Sequence, residues 1–188
     1  LAPLFSPSSM VVFAGKVDEP ASQTPQARAL YQALRAQRFV GTLAFLDLHA
    51  SGTLADLAHS HADLAVIALP AAEVTAALEI AGRIKCRAAL VISAGIDATL
   101  AAELHKIARR DGVHLLGPNC LGFQRPHLQL NASVAGALSA PGPLALVSQS
   151  GALTASILDW AQKNGVGFST VVSLGPNTAV DMAQVLDF

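Results

Sequence analysis

Two segments carry the residue types on which ligand chemistry could be built. Residues 115–122 read LLGPNCLG, and residues 144–154 read LALVSQSGALT. Each is an apolar strand running into a turn of small residues, and the second turn opens a helix. At such turns the first N–H groups of the helix lack intrahelical partners and can hold an anion or a cofactor. In the second turn Ser150 can cap the helix or donate to an anionic oxygen, and Gly151 lets the backbone approach without a Cβ. An ordinary serine N-cap is the plain alternative. In the first turn Asn119 can donate a side-chain amide. Cys120 has no neighbouring His or Arg pattern to lower its pKa, so it reads as a packed thiol rather than a nucleophile. Gly117 and Pro118 are turn formers in either case.

The elements that must position these turns alternate along the chain. Strands are expected at residues 10–14, 43–46, 64–69, 88–92 and 113–116. Helices are expected at 25–37, 54–59, 71–82 and 98–110, with Thr24 and Asp97 as caps, Pro70 in a first turn and Gly112 as a stop. This order predicts an α/β fold with right-handed crossovers and a doubly wound parallel sheet. Ligands on such sheets bind beyond the carboxyl ends of the strands. The turns to watch are therefore those at Gly15, at residues 47–49, at Pro70, at residues 93–95 (with Ser93 and Gly95) and at residues 117–120. Residues 122–143 read as a loose stretch with a short strand near 130–133 and a linker at 140–143. A fresh strand–helix–strand–helix series follows, giving an expected first domain over 1–140 and a second beginning at 144 and running to 188. The sequence reads as a fragment of a longer protein.

Composition supports that architecture. Of 188 residues 52% are hydrophobic and 13% are charged, yet the apolar runs fall well short of the roughly 18–20 residues a spanning helix needs. Short apolar runs bounded by Pro, Gly and Asp mark strands buried on both faces of a parallel sheet. The net charge is −1 and the basic residues are scattered, which argues against a nucleic-acid partner. Two cysteines make neither a disulfide framework nor a zinc pattern, and a cytoplasmic setting is expected. The pair His59 and His61 has no carboxylate or cysteine cluster beside it and reads as a surface helix end.

The fragments at residues 3–7 (PLFSP), 63–70 (DLAVIALP), 91–95 (VISAG), 115–122 and 147–154 (VSQSGALT) together resemble the NDP-forming acyl-CoA synthetases, relatives of the succinyl-CoA synthetase α subunit. The resemblance implies a Rossmann-like CoA-binding domain followed by the first part of a flavodoxin-like ligase domain. It implies interconversion of acyl-CoA, phosphate and NDP with free acid, CoA and NTP through an acyl phosphate and a phosphohistidine. All six histidines lie at or before His127, so the phosphohistidine is expected outside this chain and the fragment alone is expected to be inactive. By resemblance, Gly15, Lys16, Pro70, Ser93 and Gly95 lie nearest CoA, Asn119 and Cys120 face its thioester end, and Ser150 and Gly151 cradle the phosphate. ADP/ATP or GDP/GTP would act through other parts of the full protein, with a β-type ATP-grasp subunit or domain as partner in an oligomer.

The sequence departs from the family at the first turn. Gly15 stands alone there, and Asp18 and Glu19 would repel a pyrophosphate, with Lys16 in partial compensation. Residues 46–49 (LDLH) replace a lysine-containing turn common in the family. The rival reading is therefore a non-catalytic CoA-sensing or interaction module, in some relatives attached to a protein acetyltransferase. An NAD-binding dehydrogenase is disfavoured because no Gly-x-Gly-x-x-Gly follows the first strand, although Asp47 ends the second.

Overall fold

A computed structural model describes residues 1–16, 18–49, 61–176 and 178–188. In chain order these form α1 (Ala2–Phe5), β1 (Ser9–Phe13), α2 (Pro25–Arg35), β2 (Thr42–Leu46), β3 (Leu64–Ile67), α3 (Ala71–Arg83), β4 (Ala88–Val91), α4 (Ala98–Asp111), β5 (His114–Leu116), β6 (Gly122–Arg125), β7 (Leu130–Ser133), β8 (Pro141–Ser148), α5 (Gly151–Asn164), β9 (Phe168–Ser173) and α6 (Met182–Asp187). The helix expected at 54–59, with His59, lies outside the described residues.

The first sheet has strand order β2-β1-β3-β4-β5 and is parallel throughout. Its apolar runs are buried on both faces in strict alternation. Met10, Val12, Leu64, Val66, Ala88 and Leu90 face one core, whereas Val11, Phe13, Ala65, Ile67, Ala89 and Val91 face the other. Period-two geometry requires this of a strand covered on both sides. α3 and α4 supply the second core through Val74, Leu78, Leu104 and Ile107. The first core holds Leu30 of α2 together with Phe123, Leu130 and Val172 from the second sheet.

Local signals set the helix ends. The Thr24 side chain accepts from Ala27 N–H to start α2, and Asp97 does the same for α4 through Leu100 N–H. Gly112 ends α4 with φ +69°, a left-handed conformation that costs glycine little. At the opposite rim of the sheet, Asp63 accepts from the Ser8 backbone N–H (2.8 Å), the Ser8 hydroxyl (2.6 Å) and Arg87 (3.2 Å). One carboxylate thereby joins the starts of β1, β3 and β4.

The second sheet has order β7-β6-β9-β8, with β6 antiparallel to both neighbours and β8 parallel to β9. Two local expectations change here. Residues 122–125 form a strand rather than part of a loose stretch, because Phe123 and Gln124 pair with β9 and are buried. The segment expected as a linker at 140–143 instead begins β8, with register shifts at Pro141/Leu144 and Leu144/Ala145. A Cβ at Gly142 would collide with the Gly167 backbone, so two facing glycines let a Pro-Gly-Pro sequence enter the sheet. β6 and β7 precede Ala140 and nevertheless share a sheet with the strands that follow it. Among the described residues no helix is long and apolar enough to cross a membrane.

Candidate functional site

In the first sheet the order reverses between β1 and β3, which are neighbours although β2 intervenes in sequence. Open α/β sheets bind ligands at such a switch point, outside the carboxyl ends of the strands. A cleft of about 230 Å³ lies there, lined by residues that include Gly15, Lys16, Gln23, Thr24, Asp47, His49, Pro70 and Glu73. Gly15 turns the chain out of β1 with φ +71°. The buried Gln23 side chain donates to Ala14 O (2.8 Å), and Thr24 Oγ1 donates to Ala68 O (3.2 Å). These two bonds hold the start of α2 against the ends of β1 and β3. Gly15, Lys16 and Pro70 thus share one cleft.

Ser93, Gly95, Asn119 and Cys120 occupy the next two turns along the same rim. Leu69 N–H donates to the buried Ser93 Oγ (2.9 Å), tying the turn after β3 to the turn after β4. Asn119 N–H donates to Ser93 O (3.3 Å). The Asn119 side chain donates to Ile96 O (2.8 Å) and accepts from Ile96 N–H (3.3 Å). Asn119 itself sits at φ +57°, where asparagine is one of the better-tolerated residues. Its amide is therefore engaged by the backbone of the 93–96 turn, and its role on this geometry is to hold that turn.

Cys120 is 5% exposed and its thiol points at Val91 O (3.5 Å). Burial pushes its pKa up to about 12, so at neutral pH it is a thiol and a poor nucleophile. Gly117, at φ +86°, leaves no room for a Cβ, which would collide with the Val91 carbonyl oxygen. The GPNC turn is thus fitted backbone to backbone onto the end of β4.

The second turn singled out in the sequence meets the first. Leu121 N–H donates to Ser173 Oγ (3.2 Å), Leu174 N–H donates to Ser148 O (2.8 Å), and a Cβ on Gly151 would lie 3.1 Å from the Leu121 side chain. Glycine at 151 lets α5 begin against Leu121. Ser150 Oγ accepts from Leu153 N–H (3.2 Å) as the N-cap. Ser150 N–H donates to Ser148 Oγ (3.1 Å). The Gly151 and Ala152 N–H groups fall in the first turn of α5, where a helix offers no intrahelical partner.

The rim therefore runs from the switch-point cleft, through the 93–96 and 117–121 turns, to the N-terminus of α5. Sequence reasoning missed Gln23 and Glu73 in the cleft. Glu73 left a faint signal, an acidic residue three places after a helix-starting Pro; Gln23 left none. Among the described residues no group of three or more His, Cys, Asp or Glu could hold a metal ion.

Comparison with known proteins agrees with this layout. Residues 43–126 match the CoA binding domain family, and residues 141–188 match the family described as succinyl-CoA ligase like flavodoxin domain. The chain is 42% identical over 132 residues to acetate–CoA ligase [ADP-forming] I of Archaeoglobus fulgidus, covering 67% of this chain and 19% of that protein. It is 36% identical over 132 residues to acetate–CoA ligase [ADP-forming] I subunit alpha of Pyrococcus furiosus, covering 67% of this chain and 29% of the relative. A structure of Ca. Korarchaeum cryptofilum dinucleotide forming acetyl-coenzyme A synthetase 1, in complex with phosphate and ADP, superposes with TM-score 0.88 at 26% identity. That match covers 100% of this chain and 42% of the neighbour. The chain thus spans less than half the length of each of these relatives. With the parallel sheet, the mixed second sheet and the two joined turns all in place, the chain belongs to the NDP-forming acyl-CoA synthetase family, as a counterpart of its CoA-binding, α-subunit portion.

Proposed function

We propose that this chain binds CoA along the carboxyl rim of the first sheet and presents a phosphoryl group at the N-terminus of α5. The nucleotide end of CoA enters the cleft at Gly15, Lys16 and Pro70. The pantetheine arm follows the turn at Ser93 and Gly95, and the thiol end reaches Asn119 and Cys120. The phosphate lies against Ser150 and Gly151, where the first-turn N–H groups and the helix dipole favour an anion by roughly 0.3–1 kcal/mol, or ~2 when partly buried. Residues 1–140 would act as the CoA-binding unit and residues 144–188 as part of the ligase unit.

The observation that carries the reading is the bonded line from Leu69 through Ser93 to Asn119. It ties the cleft to the 117–120 turn, and the Leu174–Ser148 bond with the close approach of Gly151 to Leu121 carries the edge on to α5. This chain's share of catalysis is positioning and charge stabilisation: backbone N–H groups orient the phosphate, and packed small residues let the arm lie close to the sheet. ADP or GDP chemistry, the phosphohistidine, an ATP-grasp partner, an oligomeric assembly and a cytoplasmic setting complete the proposal for the full protein. Calorimetry of the chain with CoA and with NAD tests it. Selective CoA binding is expected; selective NAD binding, or binding of neither, overturns it.

A non-catalytic CoA-responsive module is the second reading, favoured by the acidic lining of the cleft. A full-length protein that binds CoA but forms no acyl-CoA would support it.

A further inference from the structure

The nucleotide end of CoA carries a pyrophosphate and a 3′-phosphate, so a cleft that receives it should present positive charge. This cleft presents the opposite. Among the described residues, Glu19, Asp47 and Glu73 line it against one lysine, Lys16, and one histidine, His49. Lys16 Nζ is already paired with Glu19 at 3.2 Å, and His49 Nε2 lies 3.5 Å from Glu73, an ion pair only when the imidazole is protonated. Both pairs are largely solvated, with side-chain exposures of 52% and 59% in the first and 69% and 34% in the second. Such pairs are weak, and a ligand phosphate can open them. Opening them does not remove the carboxylates, whose field remains.

Glu73 matters most. It lies in the first turn of α3, directly after Pro70, where the positive end of the helix dipole would otherwise meet a phosphate. A carboxylate already fixed to the protein occupies that favourable potential. It is also the less exposed partner of its pair, so water screens it less than it screens Glu19.

We infer that this site recognises CoA by its uncharged pantetheine arm and is penalised by the phosphates of the nucleotide end, with Glu73 as the specificity-determining residue. The inference rests on the CoA-binding reading above and sets which part of that ligand supplies affinity. Its consequence is an inverted preference: 3′-dephospho-CoA binds at least as tightly as CoA.

The test is calorimetry of the 188-residue chain, its Glu73→Gln and its Glu19→Gln variants with CoA and with 3′-dephospho-CoA. The original chain should show no preference for the 3′-phosphate. Its CoA affinity should rise as salt goes from about 0.05 M to about 0.5 M, since screening relieves repulsion. Glu73→Gln should tighten CoA about three- to tenfold, as expected for removing one unit charge about 5–6 Å from a phosphate at a solvated effective dielectric of about 50–80. Dephospho-CoA should gain less. Glu19→Gln should act in the same direction more weakly, and it keeps the question answerable should Glu73→Gln unfold the chain.

A clear preference of the original chain for CoA over dephospho-CoA would overturn the inference while leaving CoA binding itself intact. So would an unchanged CoA affinity in Glu73→Gln, or in Glu19→Gln where that variant stands in. Absence of binding by both ligands would overturn the CoA reading and this inference together.

Discussion

Asn119 offers the sharpest test of how the rim is held. Its side chain makes two hydrogen bonds to one residue, donating to Ile96 O at 2.8 Å and accepting from Ile96 N–H at 3.3 Å. It does so from φ +57°. Asn119→Ala removes both bonds and leaves a side chain ill suited to the left-handed region. A net loss of about 0.5–1.5 kcal/mol per hydrogen bond, plus about 1 kcal/mol for alanine at positive φ, gives a destabilisation of about 2–4 kcal/mol. For a domain of this size that lowers Tm by about 4–15 °C. Asn119→Asp keeps the acceptor and tolerates the backbone conformation, but its carboxylate faces the Ile96 carbonyl oxygen without a proton to donate. Its loss should fall at about 1–2 kcal/mol. Urea unfolding read by circular dichroism measures both. A loss under about 0.5 kcal/mol in Asn119→Ala, with an unchanged m-value, would show that the 93–96 turn is held by something else and refute the reasoning.

The thiols and the Asp63 carboxylate give further tests. Cys86 and Cys120 both have pKa values pushed up to about 12, in each case chiefly by burial. A thiol-reactive dye at pH about 8 should label neither in the folded chain and both in denaturant; rapid native labelling of Cys120 would contradict its packed environment. Because these pKa values are raised above the ordinary 9.0, their contribution to stability is intact below about pH 9 and declines as pH rises towards 12. Unfolding free energy measured across that window should fall. Asp63 is shifted the other way, below its ordinary 3.8, first by the Ser8 hydroxyl and backbone bonds and then by Arg87. Its contribution is present above that value and lost as pH falls through the lowered one. Asp63→Ala should cost about 2 kcal/mol at pH 7, and the deficit should shrink once the carboxylate of the original chain is protonated. A deficit independent of pH would mean that Asp63 acts by packing alone.

The first sheet was legible because its signals are local and mutually consistent. Buried parallel strands need continuous apolar runs, and helices between them need caps. Thr24, Asp97 and Gly112 supply a start or a stop at the expected place. The second sheet was harder to read for a physical reason. β6 is only four residues long and contains Gln124, Arg125 and Gly122, so neither apolar alternation nor a long run marks it. Its strand character comes from pairing with β9, about fifty residues away, and no window along the chain contains that information. β8 hid its start in a Pro-Gly-Pro turn signal that the close approach of Gly142 and Gly167 overrides.

The rim shows the same division between local and distant information. That residues 117–120 and 148–151 form turns could be read from small-residue content. That the Asn119 amide is committed to Ile96 could not, because the partner group is backbone and every residue type carries one. Charge is additive in space rather than along the sequence. Glu19 and Asp47 belong to segments whose departure from the family was visible, but Glu73 stands in an unremarkable helix start that the fold brings against His49. Three carboxylates from three separate connections become one acidic lining only after β1, β2 and β3 are brought side by side. The charge of this site can therefore change while the sheet that assembles it stays, since Glu19, Asp47 and Glu73 all stand outside the strands.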